Sequence, residues 1–214
     1  MILEKITVGP FQENCYILGD EASGEGAIFD PGDEAARIAL TVEKTNLEIS
    51  KIVITHAHID HVGAVAAMVD EYGCPVLMHE EAEPMLQQLP AQAVMMGLRF
   101  GKAPQVDEHI ADGEKVSVGN LSFEALYTPG HAPGHLSFYC KQEGLVLSGD
   151  ALFAGSVGRI DLPGGDGQLL MRSIQERLLT LPDETRVYPG HGPSTTIGDE
   201  KIGNPFLQGG GLLR

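Results

Sequence analysis

The segment Thr55–His56–Ala57–His58–Ile59–Asp60–His61–Val62–Gly63 constrains this chain more than any other. Three histidines and an aspartate follow directly on the apolar run Ile52–Val53–Ile54. Such a run reads as a strand that ends, turns and hands over to a helix. In extended backbone His56 and His58, two positions apart, project to the same side. Asp60 and His61 lie beyond the turn, where they can face that pair. Neutral imidazoles and a carboxylate are the ligands that Zn²⁺ and similar ions take. A surface turn that happens to carry histidines is the competing reading. With 8 histidines in 214 residues, a chance His-x-His-x-Asp-His arises on the order of once in a thousand, so the metal reading is the stronger.

Three further polar residues stand at the ends of apolar runs next to glycine, where backbone can approach a central ion closely. His131 follows Thr128–Pro129–Gly130, Asp150 follows Leu145–Val146–Leu147–Ser148–Gly149, and His191 follows Val187–Tyr188–Pro189–Gly190. Taken singly, each reads as a structural turn residue. The repetition of strand, turn and ligand-type side chain favours one shared site.

The chain length suits one good-sized domain, assigned to residues 1–207, with a glycine-rich tail at 208–214 expected to fray. Hydrophobic residues make up 43% and charged ones 21%, the balance of a soluble globular protein. A formal charge of −16 argues against a nucleic-acid partner. Two divalent ions would offset about four of those charges. Three scattered cysteines do not make a disulfide framework and fit a reduced, cytoplasmic setting. Glu4 and Lys5 interrupt the first apolar stretch, so no signal segment is expected, and no run reaches the length of a membrane span. Oligomeric state stays open.

Strands are expected at 2–8, 14–18, 27–29, 51–54, 75–78, 115–118, 121–127, 136–140, 144–148 and 186–188, the last being the final strand. Helices are expected after Asp33, taken as an N-cap, then from Gly63 to Tyr72, near 80–89 and near 167–180. From Pro90 to His109 the pattern weakens, and a lid lined by Met95, Met96 and Phe100 competes with a plain surface connection. Strands and helices alternate in two halves, which suggests two sheets packed face to face with helices outside.

The order His56-x-His58-x-Asp60-His61, His131, Asp150, His191 resembles the metallo-β-lactamase superfamily over nearly the whole chain. The resemblance implies an α+β fold, a four-layer αββα sandwich, with a two-metal site at the edge shared by both sheets. Thr128–Pro129–Gly130–His131–Ala132–Pro133–Gly134–His135 and Ser148–Gly149–Asp150–Ala151–Leu152–Phe153 are similar to glyoxalase II, hydroxyacylglutathione hydrolase, and Gly155–Arg159, Asp161–Gly165 and the ending Asn204–Pro205–Phe206 resemble its short bacterial form. The ligand set implied gives one ion to His56, His58 and His131 and a second to Asp60, His61 and His191, with Asp150 bridging. Zn²⁺ is the expected metal, and Fe or Mn suits the same donors. His135 reads as a supporting residue, and His79 and His109 as packing or surface histidines.

Long glyoxalase II enzymes carry a C-terminal helical domain that contacts glutathione, and no counterpart is expected in the residues after His191. Arg159 stands where those enzymes have a lysine near the thiol ester, and Asp161 replaces a tyrosine. Arg159 and Phe153 are the candidate substrate contacts, although Arg159 can equally pair with Asp161. The implied reaction is hydrolysis of a small-molecule thioester, S-D-lactoylglutathione above all, by a metal-activated hydroxide with Asp60 orienting the attacking water. A glutathione conjugate is thus the expected partner. The alternatives are a mononuclear-iron persulfide dioxygenase and a hydrolase of another small ester or lactone.

Overall fold

A computed structural model describes residues 1–95, 100 and 102–208, apart from the side chains of residues 92 and 95. Strands β1 (Ile2–Val8) and β2 (Glu13–Gly19) form an antiparallel pair, and β2 pairs in turn with β3 (Glu25–Phe29). Helix α1 (Ala35–Thr45) crosses over to β4 (Glu48–Val53), which lies parallel to β3. The short α2 (Ile59–Val62) and α3 (Val65–Tyr72) lead to β5 (Val76–Met78). A 3₁₀ turn and α4 (Glu83–Met95) precede the two-residue β6 (Glu108–His109). These six strands make one sheet in sequential order.

The second half starts with the hairpin β7 (Lys115–Val118) and β8 (Leu121–Tyr127), followed by β9 (Leu136–Cys140) and β10 (Leu145–Gly149). A small separate hairpin, β11 (Leu152–Phe153) and β12 (Ser156–Val157), comes next. Helix α5 (Gly167–Ser173), continued by a π turn, precedes β13 (Arg186–Pro189), β14 (Thr195–Thr196) and α6 (Ile197–Gly203). The second sheet runs β14-β13-β10-β9-β8-β7, with β13 parallel to β10.

The layers follow from period-two alternation along buried strands. Leu18, Phe29 and Val53 point between the sheets and meet Phe123, Phe138 and Leu147; Phe29 lies 5.5 Å from both the Phe123 and Phe138 rings. Their neighbours Ile17, Ile28 and Ile52 face outward onto Ile38, Val42, Val65 and Met68 of the helices. On the far side Val146 and Val187 pack under Leu170, Ile174 and Leu178. Each fully buried side chain of this size contributes about 1.5–3 kcal/mol. The result is the expected αββα sandwich.

Several local expectations are corrected. Asp33 does not cap α1: Glu34 holds that position in a left-handed conformation without a side-chain cap, and Asp33 instead accepts the Glu34 N–H at 2.6 Å. Just before it, the Pro31 carbonyl accepts from Ala64 N–H at 2.9 Å, which ties this segment to the start of α3. Helix α4 passes through Pro90 rather than stopping there, because Leu86, Leu89 and Ala93 bury a continuous face that outweighs one lost helical hydrogen bond. The irregular stretch is therefore shorter than 90–109. Met96 and the Met95 side chain lie outside the described residues, while Phe100 packs against the first-sheet core. Strand β13 is not the last element. Thr196 caps α6 by accepting the Asp199 N–H at 3.1 Å, a Thr-x-x-Asp signal that the glycines around it obscured. The tail beyond Gln208 is outside the described residues.

Candidate metal centre

Every ligand-type residue sits where a strand ends at one edge of the sandwich. Beyond β4 lie Thr55 to His58, and α2 carries Asp60 and His61. His131 lies on the β8–β9 connection, Asp150 follows β10, and His191 follows β13. Two glycines admit this crowding. A Cβ on Gly190 would come within 2.2 Å of Asp150 Oδ1, and one on Gly130 (φ +123°) within 2.2 Å of the Leu170 nitrogen.

His58 Nδ1 is 3.0 Å from His56 Nε2 and 2.9 Å from His131 Nε2. On the other side His191 Nε2 is 3.3 Å from Asp60 Oδ2 and joins His61 in a second group of converging ligand atoms. Asp150 reaches both groups: Oδ1 is 3.4 Å from His61 Nε2, and Oδ2 is 3.5 Å from the Nε2 atoms of both His131 and His191. The structure thus brings together all seven predicted ligand positions.

Hydrogen bonds outside this ring orient it. Thr55 Oγ1 donates to Asp30 Oδ2 at 2.7 Å, so its oxygen accepts from His56 Nδ1 at 3.0 Å and leaves His56 Nε2 facing inward. His61 Nδ1 donates to Asp30 Oδ2 at 3.0 Å, and His131 Nδ1 donates to the Arg159 carbonyl at 2.7 Å. Burial, reinforced by His131, lowers the His58 pKa to about 4, and burial lowers those of His56 and His131 as well. Imidazoles held neutral with inward lone pairs are what a cation requires. Asp150 is lowered well below the carboxylate range: burial pushes it up, but His61 above all outweighs burial.

The donor set fits a cation on a direct observation. His61 Nε2 and Asp150 Oδ1 are fully buried, point into the same space and have no hydrogen-bond partner. Leaving such groups unpaired is costly, and a metal ion satisfies both.

His135 does not reach this space. Its Nε2 accepts the Asp150 N–H at 3.0 Å and its Nδ1 meets Thr128 Oγ1 at 2.9 Å, with the ring kept neutral at a pKa of about 3, chiefly by burial. His79 caps the 3₁₀ turn and stacks on Tyr127, and exposed His109 pairs with Glu83 at 3.0 Å. Two residues of the neighbourhood escaped the sequence reading. Asp30, which opens an Asp-Pro-Gly sequence after β3, anchors both Thr55 and His61. Glu13 is fully buried 3.9 Å from His61 Nδ1, and burial raises its carboxyl well above the usual range. A charged-type residue opening a strand whose later residues, Cys15 to Leu18, are apolar or aromatic was the available signal. Next to it Asn14 donates to the carbonyls of Pro189 (3.0 Å) and Gly192 (2.9 Å), and Tyr16 donates to Pro189 (2.7 Å), so β2 fixes the turn bearing His191.

A cleft of about 580 Å³ opens onto the ligands, with Phe11, Met85, Phe153, Val157, Leu162 and Pro163 among its walls. Phe153 meets the His191 ring edge-on at 6.1 Å. Arg159 also lines the cleft, but its guanidinium is paired with Asp161 through two contacts of 2.7 Å.

Among known proteins, the hydroxyacylglutathione hydrolase GloC of Haemophilus influenzae is 38% identical over 214 residues, covering 97% of this chain and 98% of that protein. The crystal structure of BLEG-1 B3 metallo-beta-lactamase superposes with a TM-score of 0.91 at 39% identity, covering 97% of this chain and all 100% of that one. That of TTHA1623 in a di-iron-bound form gives a TM-score of 0.87 at 43% identity, covering 95% and 100%. The metallo-beta-lactamase superfamily model matches residues 8–191, and the chain belongs to that superfamily, with its fold and its metal-binding character.

Proposed function

We propose that this protein is a binuclear metallo-hydrolase that cleaves thioesters, with S-D-lactoylglutathione, giving D-lactate and glutathione, as the candidate reaction. The observation that carries the reading is Asp150: its Oδ2 lies 3.5 Å from one imidazole of each group, His131 and His191, and its Oδ1 lies 3.4 Å from His61. His56, His58 and His131 would hold one divalent ion, Asp60, His61 and His191 the other, with Asp150 between them. Bound there, the ions would make a nucleophile available at neutral pH and polarise the substrate carbonyl. The donors are imidazole and carboxylate without thiolate, which suits Zn²⁺ and equally Fe or Mn.

Asp60 is the residue suited to orienting the attacking water. Burial raises its carboxyl, but hydrogen bonding to His191 outweighs this and keeps it ionised, an acceptor at the cleft floor. The carbon–sulfur bond breaks, the water oxygen ends in the new carboxylate, and the sulfur leaves as a thiolate. A thiol pKa of about 8.5 makes that departure easy without a strong acid, and no Ser-His-Asp arrangement is required. The GloC relative supports a glutathione thioester as the first substrate to try.

Metal analysis of the purified protein, with parallel assays of S-D-lactoylglutathione hydrolysis and glutathione persulfide oxidation, tests the reading. Two metal equivalents with thioesterase activity are expected. One iron per chain with persulfide oxidation and no hydrolysis overturns it.

A further inference from the structure

The cleft is built for an apolar guest. Outside the ligand residues and Arg159 its walls are apolar, with Phe11, Ile59, Met85, Phe153 and Leu162 among them, and Phe11 is 47% exposed at the rim. A large aromatic ring held in water at the mouth of a cleft gains from being covered by an apolar group. Phe11, Ile59 and Asp60 also line a second, smaller cleft of about 220 Å³ with Val8 and Phe100.

Among the described residues lining either cleft, Arg159 is the single permanently charged cation. It is already engaged. Its Nε and one terminal nitrogen each lie 2.7 Å from a different oxygen of Asp161, the fork-to-fork match that Arg and carboxylate make. Both side chains are exposed, at 61% and 67%, so the pair adds little to stability. What it changes is the field at the rim. Asp161 does not itself line the cleft, yet it cancels the cation that does. A chain of formal charge −16 supplies no general attraction for an anion.

We propose that Asp161 sets substrate specificity by holding Arg159 in this bidentate pair, so that the site prefers thioesters with uncharged, apolar groups over anionic ones such as glutathione conjugates. The inference rests on the thioester-hydrolase reading above and moves its preferred substrate from the glutathione thioester named there to neutral, apolar thioesters. Asp161 acts as a positioning residue: it touches Arg159, not substrate.

The metal-loaded protein is assayed on acetyl- and hexanoyl-N-acetylcysteamine, both neutral, and on S-D-lactoylglutathione. Each buried methylene is worth about fourfold at most, so kcat/KM for hexanoyl should exceed that for acetyl by about tenfold or more. Asp161→Asn should lower KM for S-D-lactoylglutathione by about threefold to tenfold with little change in kcat, the pattern of added uniform binding. The double variant Asp161→Asn/Arg159→Ala should lose that gain, which identifies Arg159 as the group released. Calorimetric binding of two uncleavable thioethers, S-hexyl-N-acetylcysteamine and S-hexylglutathione, reads the same preference without turnover. Equal kcat/KM for the acetyl and hexanoyl thioesters, or an unchanged KM in Asp161→Asn, overturns the proposal while leaving a thioesterase. If no thioester is cleaved but the neutral thioether still binds more tightly, and Asp161→Asn narrows the difference, the hydrolase reading falls and the specificity assignment of the cleft stands.

Discussion

The backbone N–H of Asp150 donates to Nε2 of His135 at 3.0 Å, so the carboxylate that faces both ligand groups hangs from a histidine that faces neither. His135 is in turn fixed by Thr128, whose hydroxyl also meets Ser137 at 2.8 Å. The pair separates two roles that look alike in the sequence. His131→Ala removes a proposed ligand and should reduce turnover to background. His135→Ala should leave measurable turnover and weaken metal affinity by about 10- to 100-fold, the range for residues that support a ligand. Competitive chelator titration beside steady-state rates checks this. Equal and complete loss in two well-folded variants would show that the two histidines have been misassigned.

Asp150→Ala should lower bound metal and turnover together, because its Oδ2 lies 3.5 Å from one imidazole of each group, His131 and His191, and its Oδ1 3.4 Å from His61. It also removes the carboxylate oxygen that lies 3.4 Å from the buried His61 Nε2. Metal stoichiometry by elemental analysis and kcat should fall in step. Retention of two equivalents with full activity would remove Asp150 from the bridging position.

The site was more legible in the sequence than its supports. His56, His58, His131, Asp150 and His191 announce themselves because each follows an apolar run and a turn, and that local grammar survives folding. Asp30 and Glu13 carry no such mark. Asp30 looks like the opening of an Asp-Pro-Gly turn, and only the parallel pairing of β3 with β4 brings it to Thr55. Glu13 is buried by contact between β2 and the β13 turn, a pairing between halves far apart in the chain. The two sheets were readable from alternation, such as Ile28 facing outward and Phe29 inward. Helix α4 ran past Pro90 because tertiary burial of its apolar face overrode a local signal.

Acid sensitivity should show at a junction between the two sheets. Asp20, at the end of β2, accepts from the Asn120 N–H at 2.9 Å and from the Ala22 N–H at 3.1 Å, which ties the first sheet to the β7–β8 turn. The Asn120 N–H above all, against the opposing effect of burial, holds the Asp20 carboxyl at a pKa of about 2. A depressed carboxylate pKa contributes stability that is fully present above the unfolded value, near about 3.9, and is lost as pH falls through the folded value. The difference in thermal midpoint between wild type and Asp20→Asn should therefore be largest above pH about 5 and shrink towards pH about 2. A difference that stays constant across that range would mean that ionised Asp20 does not brace the junction.

The C-terminal helix should matter to the cleft although it touches no ligand. Asn204, fully buried after α6, donates to the Ser156 carbonyl at 3.0 Å and to Glu200 Oε2 at 2.7 Å. Glu200 also accepts from the Gly155 N–H at 2.9 Å and from Thr195 Oγ1 at 2.7 Å. Together they clamp the β11–β12 hairpin, which presents Phe153 and Val157 to the cleft. Asn204→Ala removes the donor that serves the part-buried Ser156 carbonyl and the buried Glu200 carboxylate, a loss of about 1–3 kcal/mol. In a chain of this size that is a fall of a few degrees, roughly 2–4 °C per kcal/mol. Phe153 is edge-on to His191, so a loosened hairpin should also raise KM for apolar thioesters while metal content stays at the wild-type level. Thermal melting, elemental analysis and kinetics on one preparation separate the effects. A lower melting temperature with unchanged KM would mean that other contacts hold the hairpin in place, and that α6 serves the fold without shaping the cleft.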